Sequence, residues 1–343
     1  MDTLPVTEVD ADRISWLTWL AAARAWLFLG ILFLAFEVWA QLAYRTTFLF
    51  NPFNVQSIAV FAVAPLLLAM GQTLVIISGG IDLSVGFTMG FAAVVFAHCV
   101  NGTSDSLGVF GSLLVGMIVA LVASFIPGLI NGLLIARLKV PPFIGTLGMY
   151  GVARGIAFLL AGGTTVPVRN SILAVLGNGN LFGFPIIVLV TIVIVGIMHF
   201  VLSQSRYGQH VYAIGGSRQA SLRAGINVER NTIALYVLSA ICAAIGGILY
   251  TARFSAGAAQ AGEPLLLDSI AAVVIGGASL FGGSGTVIGT VIGALIIAVI
   301  QYGLVFVNVE PFWQFVAVGV VIVISVLVDQ SQRRLGGGKV DEE

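Results

Sequence analysis

The chain has 343 residues, of which 59% are hydrophobic and 9% charged, far too little polar surface to cover a water-soluble globule. It reads as an all-α integral membrane protein. The formal net charge is zero, so no basic field invites nucleic acid, and two cysteines, Cys99 and Cys242, in or beside apolar runs, make no disulfide framework.

Residues 1–23 form a cytoplasmic N-terminal segment with Asp2, Glu8, Asp10 and Asp12 and no positively charged leader running into a short apolar core. No removable signal peptide is expected, and the first span stays as an anchor. A bilayer core takes about 20 apolar residues per helix. Runs of that size predict about ten spans, near 24–43, 56–77, 84–100, 109–135, 143–161, 184–203, 231–252, 268–282, 285–303 and 311–329. The eighth and ninth are so close that they form a hairpin or a broken re-entrant pair. Residues 24–329 are thus the transmembrane domain, and 330–343 a C-terminal tail.

Cytoplasmic loops hold the excess of Lys and Arg. With the N-terminus inside, the inner segments carry Arg13, Arg24, Arg137, Lys139, Arg206, Arg218, Arg223, Arg230, Arg333, Arg334 and Lys339, and the outer ones Arg45, Arg169 and Arg253. Eleven against three places both termini in the cytoplasm.

Two stretches interrupt the apolar pattern. Gly79-Gly80-Ile81-Asp82-Leu83-Ser84-Val85-Gly86 sets a carboxylate, a hydroxyl and three glycines between apolar runs, and Gly276-Gly277-Ala278-Ser279-Leu280-Phe281-Gly282-Gly283 repeats its Gly-Gly-x-x-Leu-x-x-Gly spacing. Each is either a tight turn at the membrane face or part of a pathway, since lipid tolerates irregular backbone only where protein or water surrounds it. Asp82 either caps the third span through N–H groups near Ser84 and Val85 or presents its carboxylate to a solute or to Arg154; the roles are compatible. Arg154 falls about 16 Å into its span and needs a partner or water, with Asp82 and Glu37 the candidates. Gln72, Asn131 and Thr146 serve as hydrogen-bond glue between helices or as solute ligands.

Of the longer loops, 162–183 is an outer, glycine- and asparagine-rich segment. The inner one, 204–230, holds four of the fifteen Lys and Arg residues. In it Ser217 is positioned as an N-cap and Gly225 as a C-terminal stop, leaving about two turns of helix. A helix that short forms against something else, either as an ordinary solvated loop or as a knob that docks a cytoplasmic protein.

Catalysis is not expected. With only Lys139 and Lys339 there is no phosphate-binding loop, and no nucleophile elbow or His-Glu-x-x-His pair occurs. His98, His199 and His210 sit at unrelated positions, so no metal site is expected.

From about Asn51 to Asp329 the sequence resembles the membrane-spanning permease subunits of bacterial carbohydrate-uptake ABC transporters, the ribose permease-like family. The resemblance rests on Gly71-Gln72-Thr73-Leu74-Val75-Ile76 leading into the first break, on Pro141-Pro142-Phe143-Ile144 with Thr146-Leu147-Gly148 and Arg154-Gly155, on Tyr212-Ala213-Ile214-Gly215-Gly216 followed by Ala224-Gly225-Ile226-Asn227-Val228, and on the stretch from Ile270 to Thr286. It implies an inner-membrane importer of a pentose, a hexose or a related polyol or furanosyl compound. Two permease chains, two ATPase chains and a periplasmic sugar-binding protein assemble in such systems, with ATP and magnesium held by the ATPases and no cofactor in this chain.

The resemblance adds Gly79, Gly80, Ser84, Phe143, Gly276, Gly277 and Ser279 to Gln72, Asp82, Asn131, Thr146 and Arg154 as a candidate pathway set. It makes Gly215, Gly216, Ser217, Arg218, Ala220, Arg223, Gly225 and Asn227 the candidate ATPase-coupling set. Ser217, Leu266 and Tyr302 depart from residues common in the family, so the likeness does not extend to the identity of the solute. The competing readings are a nucleoside or branched-chain amino-acid permease, which shares the layout, and an ion-coupled secondary transporter, which requires more carboxylates inside the membrane than Asp82 and Glu37.

Overall fold

The computed structural model describes residues 11–310 and 312–335. Of the expected terminal segments, 1–10 and 336–343 lie outside the described residues. The remainder is helical and belongs to α1 (Ala11–Tyr44) and the last helix, α12 (Phe312–Leu335).

Among the described residues seven helices are long and apolar enough to cross a membrane: the stretch Ala25–Tyr44 of α1, α2 (Pro52–Ile77), α3 (Val85–Ala136), α4 (Pro142–Ala161), α6 (Ile186–Gln204), α9 (Val228–Phe254) and α11 (Val287–Phe306). The 52-residue α3 is two helices in one, broken at Gly108, whose φ of 67° and ψ of −175° leave the helical region. Gly116 packs on Val100 and Phe96, and Asn131 reaches back to Ser84, so the legs fold as an antiparallel hairpin. These legs correspond to the expected third and fourth spans. The polar stretch between them, left outside the expected spans, is helical too, with the hydroxyls of Thr103, Ser104 and Ser106 bonded to carbonyls three or four residues back instead of facing the bilayer unpaired.

The centre of the bundle is α2, with 83% of its membrane window buried against 22% for α1 and for α6. It packs on α9 and α11, and α9 in turn lies along the α3 hairpin. Small residues set those approaches: a Cβ at Gly128 would meet the Tyr236 carbonyl at 2.7 Å, and one at Gly132 the Ile233 Cα at 2.8 Å. In lipid, where apolar surface gives no drive to associate, such backbone approach supplies the packing.

The expected eighth span differs most. Helix α10 covers only Glu263–Ile275, 13 residues, and the chain reaches it through a re-entrant segment. After Ser255 closes α9 in the left-handed region, Ala256–Gly257 (β4) pairs with Val166–Pro167 (β1), and the chain then runs along α3, placing Gly257 on Ala93, Ala259 on Gly90 and Gly262 on Gly86. About two helical turns separate Ala93 from Gly86, so the segment descends about 10 Å before α10 begins. The run read as apolar at 268–282 therefore holds half a helix and a glycine turn.

The outer loop 162–183 contains an eight-residue helix, α5 (Ser171–Asn178), capped by Asn170, and Asn180–Leu181 (β2) of a short strand pair with Phe184–Pro185 (β3). The inner loop contains α7 (Arg206–Gly216) and α8 (Arg218–Arg223).

Candidate functional site

The first break folds back against the helix it leaves. Ser78, Gly79 and Gly80 close α2 with hydrogen bonds to Leu74, Ile76 and Val75, a Schellman-type end that puts Gly79 at φ 84°. Residues 81–84 then climb beside α2, so that Gln72 donates to the Asp82 carbonyl at 2.5 Å. The Asp82 carboxylate is 1% exposed, accepts from the Ser84 amide at 3.0 Å and hydroxyl at 2.6 Å through one oxygen, and from the Ser239 hydroxyl at 2.8 Å through the other. Asn131 donates to Ser84 at 2.9 Å, and the Thr146 hydroxyl, bonded to the Pro142 carbonyl at 2.9 Å, also lies 3.3 Å from the Ile81 carbonyl.

Five residues singled out in the sequence, Gln72, Asp82, Ser84, Asn131 and Thr146, thus meet in one buried polar knot that ties α2, both legs of α3 and α4. Among the described residues, Asp82 accepts the amide of Ser84, the N-cap residue of the third span, and no N–H of the helix's first turn, so it braces the turn that enters the helix. Ser239 completes the knot and went unnoticed in the sequence, where one serine in an Ala- and Gly-rich helix carries no signal beyond packing.

Arg154 is elsewhere. It is exposed on α4, its guanidinium lies 5.4 Å from the centre of the Phe87 ring, and among the described residues the one ion pair joins Arg137 to Glu229. The expected partners are both engaged otherwise. Asp82 is held in the knot, and Glu37 accepts from Gln41, Thr47 and the Phe48 and Leu49 amides, fixing the turn after α1. Phe143 stands exposed at the start of α4.

The second break ends α10 in the same way: Gly276, Gly277 and Ala278 bond to Ala272, Val274 and Val273, and Gly277 has φ 92°. The cap glycines are Gly79 and Gly277, one residue out of the register of the sequence repeat. Side chains keep the original register: Ser279 accepts from the amide two residues on, as Asp82 does. A Cβ at Gly276 would overlap Gly289 of α11, which fixes how tightly the two helices meet.

The two breaks touch. Gly283 donates to the Ile77 carbonyl at 2.8 Å, and a Cβ on Gly282 would lie 3.0 Å from the Gly79 nitrogen. Between them sits Gly215, the penultimate residue of α7, where any side chain would overlap the Ile77 carbonyl. Tyr212, one turn earlier, donates to the Gly285 carbonyl at 2.7 Å. Burial pushes the phenols of Tyr212 and Tyr207 above their ordinary value, so this donor keeps its proton at physiological pH.

From this joint the chain enters α8. Ser217 accepts from the Ala220 amide at 3.2 Å, Gly225 closes the helix at φ 77°, and Asn227 accepts from the Arg230 amide at 2.9 Å to open α9. Of α8 only Ser221 is buried; Arg218, Gln219, Ala220, Leu222 and Arg223 are exposed. A helix capped at both ends, with Leu222 56% exposed between two arginines, presents a small apolar and cationic surface at one end of the bundle.

Residues 54–326 match a family model described as branched-chain amino acid transport system / permease component. The chain is 37% identical to the fructose import permease protein FrcC of Rhizobium meliloti over 274 residues, covering 77% of this chain and 74% of the relative. It is also 37% identical to a probable ABC transporter permease protein, y4mJ, of Sinorhizobium fredii, over 80% of each chain. With the ribose import permease protein RbsC of Bacillus subtilis it shares 36% identity, over 78% of this chain and 81% of the relative. No solved structure matches the chain.

Proposed function

Because the chain belongs to the permease family that its residues 54–326 match, we infer that it is the membrane-spanning subunit of an ABC importer that carries a monosaccharide across the inner membrane. The solute class follows the relatives, one named for a hexose and one for a pentose. ATP is hydrolysed on a separate ATPase chain, and this chain is a transport subunit without chemistry of its own. A periplasmic binding protein delivers the solute, and a second permease chain completes the pathway.

The observation that carries the reading is the joint at Gly215. An exposed, doubly capped helix suited to an ATPase leads within a few residues to the contact between the two broken segments, so motion of α8 reaches both breaks through one point. The coupling set Gly215, Gly216, Ser217, Arg218, Ala220, Arg223, Gly225 and Asn227 is accordingly the ATPase-facing one. In the pathway set, Gly79, Gly80, Gly276, Gly277 and Ser279 are the moving turns, the Asp82 knot holds the first of them, and Phe143 and Arg154 line the way. The engagement of Glu37 and Asp82 by six distinct donor residues argues against ion-coupled exchange, which requires carboxylates free to exchange their ion.

A ten-span arrangement with both termini cytoplasmic accounts for the charge asymmetry when the α3 hairpin counts as two spans and the short α10 and α12 complete the set. Affinity purification in mild detergent, with mass spectrometry of what accompanies the chain, tests the reading. Recovery of an ABC ATPase supports it, as does binding-protein-dependent uptake of labelled ribose, fructose or galactose. Recovery of the chain alone, where a known ABC complex survives, refutes it.

A further inference from the structure

Helix α4 buries one stripe, Thr146, Met149, Ala153 and Ala157, and exposes almost everything else. On the open side Arg154 is the thirteenth of its 20 residues, about 18 Å from the Pro142 end in a hydrocarbon core about 30 Å thick. Side chains on a helix lean toward its N-terminus, so Arg154 points toward the bilayer centre and away from the nearer surface at Ala161. Its guanidinium accordingly lies over Phe87, the third residue of α3. A guanidinium exposed at that depth faces water or protein, since facing lipid is strongly unfavourable.

Two further groups lie beside it. Tyr150, one turn earlier on α4, stacks edge-on against the same Phe87 ring with centroids 4.7 Å apart. Its hydroxyl donates to Glu263 at 3.4 Å, and Glu263 is the first residue of α10, brought to this depth by the re-entrant segment. Arg154 and Glu263 form no ion pair with each other, so the guanidinium donors and the carboxylate acceptors stand apart around one phenol.

We propose that Arg154, Tyr150 and Glu263, backed by Phe87, form a solute subsite on the wall of an aqueous pathway, and that it takes the adjacent hydroxyls of a polyol. A planar donor fork, an acceptor and a phenol that serves as either match a vicinal diol, in which each hydroxyl both gives and accepts a hydrogen bond. The buried Asp82 knot lies deeper in the protein and both carboxylate oxygens of Asp82 are occupied, so the subsite is distinct from it. The solute class rests on the importer reading; the aqueous exposure does not.

The test separates the two. Gly151 lies on the exposed side between Tyr150 and Arg154, and a Cβ there meets nothing within 4 Å, so Gly151→Cys leaves the fold intact. It is made in a Cys99→Ser background, Cys242 being buried, and the assembled transporter in membrane vesicles is treated with a charged, membrane-impermeant methanethiosulfonate. Gly151→Cys is expected to label, and Val193→Cys, at 61% exposure in the middle of α6, to stay unlabelled as a lipid-facing control. Absence of label at Gly151→Cys, or equal label at both positions, overturns the aqueous wall whatever the solute is. Arg154→Gln and Glu263→Gln are then expected to lower uptake of the sugar carried by the wild type about tenfold or more at limiting concentration, at equal amounts of inserted protein. Uptake within twofold of wild type in both variants overturns the subsite. Label at Gly151→Cys, with a wild type that takes up none of labelled ribose, fructose or galactose, refutes the importer reading alone.

Discussion

Gly215→Ala tests the joint with one added carbon. The residue is helical and has no positive φ, so the effect is steric. A Cβ there overlaps the Ile77 carbonyl oxygen and lies 2.5 Å from the Gly283 nitrogen, nearly 1 Å inside ordinary contact. Both neighbours are backbone and the Ile77 oxygen is the closer, so relief requires the joint to open by more than that distance, and overpacking of this kind costs about 1–3 kcal/mol. The opening also breaks the 2.8 Å Gly283–Ile77 hydrogen bond, worth about 1 kcal/mol more. Because α8 carries its own caps, ATPase docking survives while the connection to the breaks is lost. In proteoliposomes with the ATPase and binding protein, uptake is expected to fall more than tenfold while the ATPase still copurifies, and the detergent-solubilised complex melts several degrees lower. Gly196→Ala in α6, outside the coupling and pathway sets, is the control, since its Cβ meets nothing within 4 Å and uptake stays near wild type. Wild-type transport in Gly215→Ala, or equal loss in both variants, refutes the reasoning.

Charge reversal at Arg218 and Arg223, both exposed on α8, is expected to abolish ATPase copurification and uptake while membrane insertion is unchanged; intact copurification removes α8 from the docking surface. Asp82→Ala strips the acceptor from the Ser84 and Ser239 donors and is expected to destabilise by about 2–4 kcal/mol, read as a lower melting temperature, whereas Asp82→Asn keeps one oxygen for Ser84 and melts close to wild type. If Asp82→Asn nonetheless loses uptake at normal stability, the carboxylate serves the pathway beyond bracing the turn. Gly225→Ala forces a side chain into the φ 77° position that ends α8 and is expected to cost about 1 kcal/mol and weaken ATPase recovery; unchanged recovery shows that the cap is dispensable.

Much of this protein is written locally. Apolar runs of span length, the eleven-to-three asymmetry of Lys and Arg, and the capping residues Ser217, Gly225 and Asn227 each depend on neighbours within a few positions, so the membrane character and the short exposed helix at 218–223 are legible without a structure. The positions of Gly79 and Gly277 are legible too, because a chain leaving a helix through φ > 0 favours glycine.

What the sequence leaves out is which distant segment each glycine admits. Gly215, Gly79 and Gly282 meet at one point although the chain between them spans most of the molecule, and a missing Cβ announces a close approach without naming the partner. The same holds for charge. Arg154 demands company at its depth, but hydropathy alone does not choose between Glu37 or Asp82, both engaged elsewhere, and Phe87 and Glu263, which tertiary packing brings beside Tyr150 on its own helix. Composition and local capping signals determine that this chain spans the membrane and that a short helix stands at 218–223. The joint at Gly215 and the surroundings of Arg154 are decided by contacts between residues far apart in sequence, because shape and depth belong to the packed bundle and to no single segment of it.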